Sequence, residues 1–503
     1  MENPAPELID NKISPQYIAH AKQAFLVESE VKEFIAACSR PLRKSIRINT
    51  LRITVSDFHK IAVKYQLKLI PIPWCEEGFW LESNSTVQAQ SNFDLDNDAL
   101  GNLPEHIQGL FYIQEASSML PPIALLKDES IDEQNENRML LDFAAAPGSK
   151  TTQLAAQVKN TGLILANEIS ASRVKVLHSN LVRCGVTNTC MSQFDGRKLG
   201  ERLSGLFDYV LLDAPCGGEG TVRKDPSALV NWQLAKVEEI AKLQKQLILK
   251  AYQCLKPGGK LVYSTCTLSP EENQQVAEYL IEQSDATIVS LKGLFEGAEK
   301  SLTKEGFLHV LPHVYDSEGF FVSAFRKPNN SLITYFDGNI SSPFKSISRN
   351  QLKQVENYYL SHFGLKFSNL GFLIKQRDKE IWLFPKPFEA ISSLVRLNRS
   401  GIKLAEIYPN KIRSTHEFAV CFANQINLQK TELNHQQAED FFKGRDISIE
   451  DTSIINGEVI LMFNGYPIGL GRNQKNKIKN MLPRDLVKDQ IRIKGHVKMK
   501  ESF

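Results

Sequence analysis

Short apolar runs alternate with longer amphipathic stretches between residues 138 and 327, and this alternation constrains the fold more than any other feature. The predicted strands are apolar throughout, namely RMLLDF, GLILAN, FDYVLLD and KLVYSTC. Strands without a polar face are typical of a parallel sheet that helices cover on both sides. The stretches between them have helical spacing, so we predict an α/β domain with a mostly parallel sheet. The pattern of FLHVLPHVYDSEGFFVSAFRK (307–327) is that of a hairpin and predicts an antiparallel edge.

The chain is too long for a single core, because it has 503 residues and domains usually contain about 100–200. Polar runs flank the alternating region at 127–138 and 328–344. We therefore predict an N-terminal α+β region at 1–126, the α/β domain at 127–328, a linking domain at 329–430 and a β-rich module at 431–503. RKSIRINTLRI (43–53) predicts a strand with one basic face. Asn464-Gly465 predicts a tight hairpin in the last module.

Composition excludes several classes of protein. The first residues lack a basic segment followed by an apolar one, and no apolar run reaches the roughly 18–20 residues that span a bilayer. We therefore expect a cytoplasmic protein without a membrane segment. The eight cysteines include no CxxC pair and no Cys/His cluster of zinc spacing, so we expect neither disulfides nor a bound metal.

Positive charge is concentrated near the C-terminus. The net charge of the chain is only +3, yet residues 471–500 contain ten Lys and Arg residues and two acids, Asp485 and Asp489. A local basic surface on a nearly neutral protein predicts a polyanionic partner. The alternative is a solvated tail without a partner.

The segment LDFAAAPGSKTTQLAA (141–156) combines a strand, a turn of small residues and the start of a helix. It lacks the G-x-G-x-x-G fingerprint of dinucleotide-binding proteins. It is not a Walker A loop either, because the first Gly is missing and Ser149 separates Gly148 from Lys150. Small residues after a parallel strand still let a ligand approach the backbone closely. The helix N-terminus can then face a carboxylate such as that of S-adenosylmethionine.

Acidic residues follow the next two predicted strands. Glu168 follows the second strand and can accept hydrogen bonds from ribose hydroxyls, and Asp195 follows the third and can accept from an adenine amine. Either acid alone is more readily explained as a surface or capping residue. Together with Asp142 they make three acid-bearing strand ends in series, which favours a cofactor that contains a nucleoside.

Cys216 and Cys266 follow the fourth and fifth predicted strands, and Asp213 precedes Cys216. Ligands of open α/β sheets bind outside these strand ends. A lone cysteine in an apolar run is usually a small core residue, but two of them beside an aspartate favour catalysis. A thiolate that adds to carbon 6 of a pyrimidine makes carbon 5 nucleophilic enough to take a methyl group. Asp213 could protonate or hold the base at nitrogen 3, and the second cysteine could assist release; spacing does not decide which cysteine attacks.

Ser269-Pro270-Glu271-Glu272 has the pattern of a capping box with Pro at the first helical position, which predicts a helix that begins just after Ser269. The N-terminus of such a helix would favour a thiolate at Cys266, whereas Glu271 and Glu272 would oppose it. The pattern therefore predicts no net effect on the thiol.

These segments together resemble the RNA 5-methylcytosine methyltransferases of the NOL1/NOP2/Sun family. The resemblance is carried by RINTL (47–51), QEASSMLP (114–121), DFAAAPGSKT (142–151), NE (167–168), FDG (194–196), DAPCGGEGTVRKDP (213–226) and YSTCTLSPEEN (263–273). It implies a Rossmann-like class I methyltransferase domain with a mostly parallel seven-stranded sheet. It also implies that Cys266 is the nucleophile, that Cys216 is the release residue and that Asp213 assists them. The implied site for S-adenosylmethionine consists of Ala144, Ala145, Ala146, Pro147, Gly148, Ser149, Lys150, Glu168, Asp195 and Asp213.

The C-terminal third narrows the resemblance. AEDFFKGRDIS, YPIGLGR and KNKIKNMLPRDLVKD are similar to the end of bacterial family members that methylate a cytosine of 16S ribosomal RNA and that end in a PUA-like RNA-binding module. The resemblance implies an RNA-binding N-terminal region, a monomer, and a target in the decoding region of the small ribosomal subunit. We expect Arg223, Lys224 and the 471–500 segment to bind RNA phosphates. The alternative for Arg223 and Lys224 is that they are solvated charges of a surface loop. The same chemistry on tRNA, or an RNA-binding assembly factor without catalysis, remains open.

Overall fold

A computed structural model of the protein describes residues 13–83, 100–132, 134–230, 232–367, 370–409, 411–449, 455–475, 477–489, 491 and 493. Its strands form four sheets that follow one another along the chain. Within these ranges no helix is both long and apolar enough to cross a membrane. The same ranges contain no group of three His, Cys, Asp or Glu side chains that could hold a metal ion.

The N-terminal part contains two helices and an antiparallel sheet with the strand order β2-β3-β1-β4. Its elements are α1 (Pro15–Ala24), α2 (Val31–Ser39), β1 (Ser45–Ile48), α3 (Val55–Lys64), β2 (Leu67–Ile72), β3 (Cys75–Ser83), α4 (Pro104–Ile107) and β4 (Phe111–Ile113). Tyr17 of α1 and Phe34 of α2 share one hydrophobic cluster with Val222, Trp232 and Leu268. The first two helices therefore support the segments that follow the two cysteines.

The prediction of a basic strand face at 43–53 is wrong. All four residues of β1 are buried. The Arg47 guanidinium donates to Gln114 Oε1 at 2.9 Å and to Thr152 Oγ1 at 2.8 Å. Arg52 donates to the carbonyl oxygen of Val420 at 2.7 Å. These arginines therefore join the N-terminal sheet to the following domains instead of facing RNA.

The α/β domain contains the predicted, mostly parallel sheet, with the strand order β10-β12-β9-β8-β5-β6-β7. β5 to β9 are parallel to one another, and β12 is antiparallel to β9. The elements are α5 (Leu120–Leu126), β5 (Met139–Asp142), α6 (Ser149–Gln157), β6 (Leu163–Asn167), α7 (Ala171–Cys184), β7 (Thr189–Ser192), α8 (Gly196–Arg202), β8 (Phe207–Asp213), α9 (Leu234–Gln253), β9 (Leu255–Thr265), α10 (Gln274–Gln283), β10 (Thr287–Val289), β11 (Leu308–Val310), α11 (Pro312–Tyr315) and β12 (Phe320–Arg326).

The expected count of seven strands needs a correction, because this sheet has eight among the described residues. β10 pairs with the second half of β12, from Ala324 to Arg326. β11 pairs with its first half, from Phe320 to Val322. Two short strands therefore share the place of one at this edge. The predicted antiparallel edge is present, and α11 lies between its strands β11 and β12.

Both faces of the central strands are buried, which explains why these strands have no polar face. Leu140 and Ile164 pack in one hydrophobic cluster with α5, α6 and α7. Their neighbours Leu141 and Leu165 pack in another with α8, α9 and α10. Successive side chains of a strand point to opposite faces, so each strand serves both clusters.

The third sheet is an antiparallel meander whose strands run in sequence order from β13 to β17. Its elements are β13 (Lys345–Ser346), α12 (Arg349–Phe363), β14 (Leu373–Arg377), β15 (Glu380–Phe384), β16 (Ile402–Tyr408), β17 (Lys411–Ser414) and α13 (His416–Phe422). The segment between β15 and β16 adds to the open edge of β7. There the Asn398 N–H donates to the Met191 carbonyl and the Gly401 N–H to the Thr189 carbonyl.

The last sheet has the order β18-β20-β21-β22-β19, and β18 pairs with β20 in parallel. Its elements are β18 (Lys430–Glu432), α14 (His435–Phe442), β19 (Ile447–Ser448), β20 (Gly457–Phe463), β21 (Tyr466–Gln474) and β22 (Lys477–Asn480). Asn464 and Gly465 both have positive φ, 52° and 81°, and join Phe463 to its partner Tyr466. The predicted tight hairpin is confirmed. Four of the ten Lys and Arg residues of the basic 471–500 segment, Arg492, Lys494, Lys498 and Lys500, lie outside the described residues.

Candidate active site

Two cysteines meet at the carboxyl ends of the adjacent parallel strands β8 and β9. Cys216 follows Asp213 at the end of β8, and Cys266 follows Thr265 at the end of β9. Their sulfur atoms are 2.9 Å apart, and both thiols are free. The Cys266 N–H also points at the Cys216 sulfur, at 3.2 Å. The residues singled out in two distant motifs therefore form one pair.

The two thiols have different surroundings. The hydrogen bond with Cys266 raises the pKa of Cys216 well above its usual range, and desolvation and the negative charges of Glu272 and Asp213 act in the same direction. The two sulfurs lie at hydrogen-bond distance, and either thiol can be the donor.

Asp213 is held by hydrogen bonds from two sides. Its Oδ1 accepts from the Ser264 hydroxyl at 2.8 Å, and its Oδ2 accepts from Lys150 Nζ at 2.7 Å. Lys150 also donates to the Ser118 hydroxyl at 2.8 Å. Lys150 was predicted to lie in the cofactor loop, and the structure places its amine on Asp213. The lysine therefore orients the carboxylate beside the two thiols.

The turn after β5 packs closely against the rest of the domain. Ala145 and Ala146 are buried, and the Ala145 N–H donates to the Asn167 carbonyl at 2.8 Å. Gly148 has φ +105° and precedes Ser149, the first residue of α6. A Cβ at Gly148 would lie 2.9 Å from Leu177 Cδ1, so this position requires glycine in both conformation and space. Ala144, Pro147 and Ser149 complete the turn and are at least partly exposed.

Asp142 at the end of β5 is a residue to which the sequence alone assigned no separate role. Its Oδ2 accepts from the Thr151 hydroxyl at 2.6 Å, whereas its buried Oδ1 has no partner among the described residues. Burial raises the pKa of this carboxyl to about 7. A buried oxygen without a donor, next to the turn, fits a ligand that brings a cationic amine.

The two other predicted acids lie at the ends of the neighbouring strands. Glu168 follows β6, is buried, accepts from the Ser170 N–H at 2.9 Å and pairs with Arg173. Asp195 follows β7 and caps α8, and its hydrogen bond from Arg197 lowers its pKa. The strand order β5-β6-β7 therefore brings Asp142, Glu168 and Asp195 along one edge of the sheet.

The predicted helix start at residue 270 is wrong. The helix begins at Gln274, and Ser269 donates its hydroxyl to Glu219 instead of capping a helix. Glu272 is buried and accepts from the Gly217 N–H at 3.0 Å. The α-helix that follows Cys266 therefore begins eight residues after it, and its N-terminus is not where the sequence predicted.

The prediction that Arg223 holds RNA phosphates is also wrong. Its side chain is 1% exposed and pairs with Asp316 at 2.9 Å. It donates to the carbonyl oxygens of Pro41 and Ser317 as well. Lys224 is exposed and free to meet a phosphate. Of these two adjacent basic residues, Arg223 points into the protein and Lys224 points to the surface.

Sequence reasoning missed the side chains that hold the site together, namely Ser264, Glu219 and Glu272. For Ser264 a signal was present, since it lies two residues before Cys266 and so on the same face of its strand. The partners of the two glutamates lie between 13 and 55 residues away along the chain, and no local pattern marks them.

Comparisons with known proteins cover nearly the whole described chain. Residues 130–326 match the model of the 16S rRNA methyltransferase RsmB/F. Residues 14–116 match the N-terminal domain of 16S rRNA methyltransferase RsmF, 344–422 its pre-PUA domain and 428–488 its PUA domain. The chain is 46% identical to ribosomal RNA small subunit methyltransferase F of Shewanella oneidensis over 486 residues, 95% of this chain and 98% of that protein. The corresponding protein of Psychromonas ingrahamii is 45% identical over 92% of this chain and 94% of its own length.

Solved structures agree on the fold. A methyltransferase homologue from Pyrococcus horikoshii is 31% identical, with a TM-score of 0.52, over 64% of this chain and 100% of its own. The structure of NSun6 from the same organism has a TM-score of 0.54 at 23% identity, over 63% of this chain and 99% of that one. The class I methyltransferase fold predicted from the sequence is confirmed.

Proposed function

The chain belongs to the family of ribosomal RNA small subunit methyltransferase F, and we propose that it methylates carbon 5 of a cytosine in the decoding region of 16S ribosomal RNA. In this proposal the methyl group comes from S-adenosylmethionine, and the cytosine is bound covalently to Cys266 during transfer. The observation that carries the proposal is the pair of thiols 2.9 Å apart beside Asp213. Carbon 5 of cytosine is a poor nucleophile, and a thiol is what its activation requires.

In the first step the Cys266 thiolate forms a bond to carbon 6 of the cytosine. Asp213, oriented by Lys150 and Ser264, holds or protonates nitrogen 3, so that the electron pair released by the attack makes carbon 5 nucleophilic. S-adenosylmethionine, when bound, supplies the methyl group that carbon 5 takes. The target base must leave its stack to reach the two sulfurs.

In the second step a base removes the proton from carbon 5, and the bond between carbon 6 and the Cys266 sulfur breaks. Cys216 lies at hydrogen-bond distance from that sulfur. Once ionised, Cys216 can take the proton from carbon 5, and it then carries that proton as the neutral thiol that its raised pKa favours.

The residues at the ends of β5, β6 and β7 fit the cofactor. Asp142 would take the ammonium group, and the start of α6 after Gly148 would face the carboxylate. Glu168 would accept from the ribose hydroxyls and Asp195 from the adenine amine. Ala144 to Ser149 let the cofactor lie against the backbone.

A basic segment at the edge of β7 is the best candidate for holding RNA. Arg396 and Arg399 are exposed, and neither has an ion-pair partner among the residues that the structure describes. Between and beside them, Leu397 and Ser400 are buried, and Ser400 bonds to Met191. The anchored segment therefore presents two arginines in fixed positions. Since Leu397 bridges to Ser192 at the carboxyl end of β7, Arg396 lies on the active-site side of the sheet.

Adjoining cavities continue this surface toward the last module. One of about 860 Å³ includes Gln193 and Arg396. The next shares Asn398 with it and includes Arg399. A third, of about 520 Å³, includes Arg399 and Lys175 and reaches Lys488 near the last sheet. The proposed RNA path thus runs from the cofactor edge of the α/β domain to the module that matches a PUA domain. Its start at β7 is four strands from Cys266, a distance of about 19 Å at ~4.8 Å per strand.

The proposal is tested by mapping 5-methylcytosine in ribosomal RNA from cells with and without this protein. Loss of one 5-methylcytosine in 16S RNA is the expected result. Purified protein with labelled cofactor is then offered small subunits, free 16S RNA and tRNA. Methylation of tRNA alone would show that the same reaction acts on tRNA instead of 16S RNA. If no RNA is methylated, the protein is an RNA-binding assembly factor without catalytic activity. We propose further that the protein acts in the cytoplasm and as a monomer.

A further inference from the structure

Each loop that carries a catalytic cysteine also carries a buried carboxylate that bonds to the other loop. The loop after β8 contains Cys216 and, three residues later, Glu219. The loop after β9 contains Cys266 and, six residues later, Glu272. Both glutamates are at most 1% exposed. Their oxygens accept hydrogen bonds from the opposite loop, and Trp232 and Gln244 each add one.

Glu219 holds the residues directly after Cys266. One carboxylate oxygen accepts from the Thr267 hydroxyl at 2.7 Å, the Leu268 N–H at 3.2 Å and the Ser269 N–H at 3.1 Å. The other accepts from the Ser269 hydroxyl and from Trp232 Nε1. Buried backbone N–H groups need acceptors, and this single carboxylate supplies them for the turn that follows Cys266.

Glu272 holds the residue directly after Cys216. Its two oxygens accept from the Gly217 N–H at 3.2 and 3.0 Å. Gln244 of α9 donates to Glu272 at 2.7 Å and to the Pro215 carbonyl at 2.8 Å. Pro215 and Gly217, the two neighbours of Cys216, are therefore fixed by one amide and one carboxylate that act together.

The backbone brings the loops equally close. The Gly220 N–H donates to the Cys266 carbonyl at 2.9 Å. A Cβ at Gly220 would lie 2.9 Å from the Cys266 carbonyl oxygen, so glycine allows this approach. Each carboxylate therefore bonds to backbone N–H groups within three residues of the opposite cysteine.

We propose that Glu219 and Glu272 are crossed positioning residues, so that Glu219 fixes Cys266 for attack on the cytosine and Glu272 fixes Cys216 for release of the product. This inference rests on the proposed roles of the two thiols. Neither glutamate touches the reacting atoms. Each acts through the backbone of the opposite loop, and a displacement of about 1 Å at a reacting group costs up to ~100-fold in rate.

The test measures two rates separately in single-turnover reactions with 16S RNA and S-adenosylmethionine. Formation of the covalent protein–RNA adduct reports attack, and its decay to methylated RNA reports release. The variants are Glu219→Gln and Glu272→Gln. Glu219→Asp and Glu272→Asp keep the charge but shorten the side chain, so they separate positioning from the effect of the Glu272 charge on the pKa of Cys216. They also replace the Gln variants if those do not fold.

We expect Glu219→Gln to slow adduct formation by about 10- to 100-fold without accumulation of adduct. We expect Glu272→Gln to form adduct at nearly the wild-type rate and to accumulate it, because decay slows by a similar factor. The matched control is Glu458→Gln. Glu458 is also a buried carboxylate that accepts from a backbone N–H, that of Ser414, but it lies in the last sheet. This control should change neither rate.

Equal slowing of both steps in both variants would overturn the crossed assignment, and so would rates that are unchanged in folded variants. A wild-type protein that forms no adduct and no 5-methylcytosine would instead refute the proposed function, and the inference with it. The two failures are distinguished by the behaviour of the wild type.

Discussion

Replacing Arg223 with Met separates a structural arginine from an RNA-binding one. Arg223 belongs to a basic pair beside the cysteine loop, a place where arginines commonly meet phosphates. Its guanidinium is instead enclosed by Asp316 and by the carbonyl oxygens of Arg40, Pro41 and Ser317. We therefore expect Arg223→Met to weaken folding and to leave the electrostatics of RNA binding unchanged.

The magnitude follows from what the substitution leaves behind. Removing one partner of a buried charge pair typically costs about 3–5 kcal/mol, because the other partner stays desolvated. Asp316 is 39% exposed and keeps contact with water, whereas the carbonyl oxygens lose a charged donor. The lower end of the range, about 3 kcal/mol, is therefore expected, a large share of the ~5–15 kcal/mol by which domains are stable.

The assay combines urea unfolding with RNA titrations at several salt concentrations. The matched control is Lys224→Met, which changes the exposed neighbour. It should alter stability by less than ~0.5 kcal/mol. It should also reduce the dependence of log K on log salt by about 0.7, the loss of one phosphate contact on a single strand. If Arg223→Met is as stable as the wild type but lowers the salt dependence, the buried role of Arg223 is refuted.

Three further predictions concern the RNA path, the catalytic carboxylate and the buried acid. Arg396→Ala with Arg399→Ala should reduce the salt dependence of RNA binding by about 1.4, two phosphate contacts, without slowing transfer at saturating RNA; unchanged titrations would contradict the path. Lys150→Met should slow adduct formation because Asp213 is oriented less well, and calorimetry should find S-adenosylmethionine bound as in the wild type; an unchanged rate of adduct formation together with lost cofactor binding would contradict this. Burial raises the pKa of Glu272 to about 7 from 4.5. The folded protein therefore binds this proton more tightly than the unfolded chain does, and it becomes less stable as the pH rises between these two values. Relative to wild type, Glu272→Gln should thus gain up to ~3 kcal/mol in the free energy of unfolding between pH 5 and 8, and a pH-independent difference would argue against this.

The architecture was predictable where a pattern reports directly on burial. Apolar runs without a polar face predicted the parallel sheet, and Leu140 and Leu141 do pack into clusters on opposite faces. Asn464-Gly465 predicted the hairpin because few other residue pairs adopt its backbone conformation. The meeting of the two cysteines also followed, since adjacent parallel strands end at one edge of a sheet.

Long-range contacts explain where these predictions failed. Arg47, Arg52 and Arg223 carry the same charge as surface arginines, and their carbonyl and amide acceptors lie far away in sequence. The capping pattern at Ser269 was reasonable locally, but the Glu219 carboxylate takes the Ser269 hydroxyl and N–H. A local signal decides a structure only where no stronger distant partner competes for the same groups.

The order of events at the two thiols is the central claim, and it is tested most directly by trapping the adduct. Cys216→Ala and Cys266→Ala proteins are each incubated with 16S RNA and S-adenosylmethionine, denatured, and analysed by mass spectrometry of the protein–RNA peptide. The Cys216→Ala protein should retain a cytosine bound to Cys266, because attack occurs and release stalls. The Cys266→Ala protein should form no adduct and transfer no methyl group. Normal turnover by Cys216→Ala, or an adduct in Cys266→Ala, would contradict the assignment.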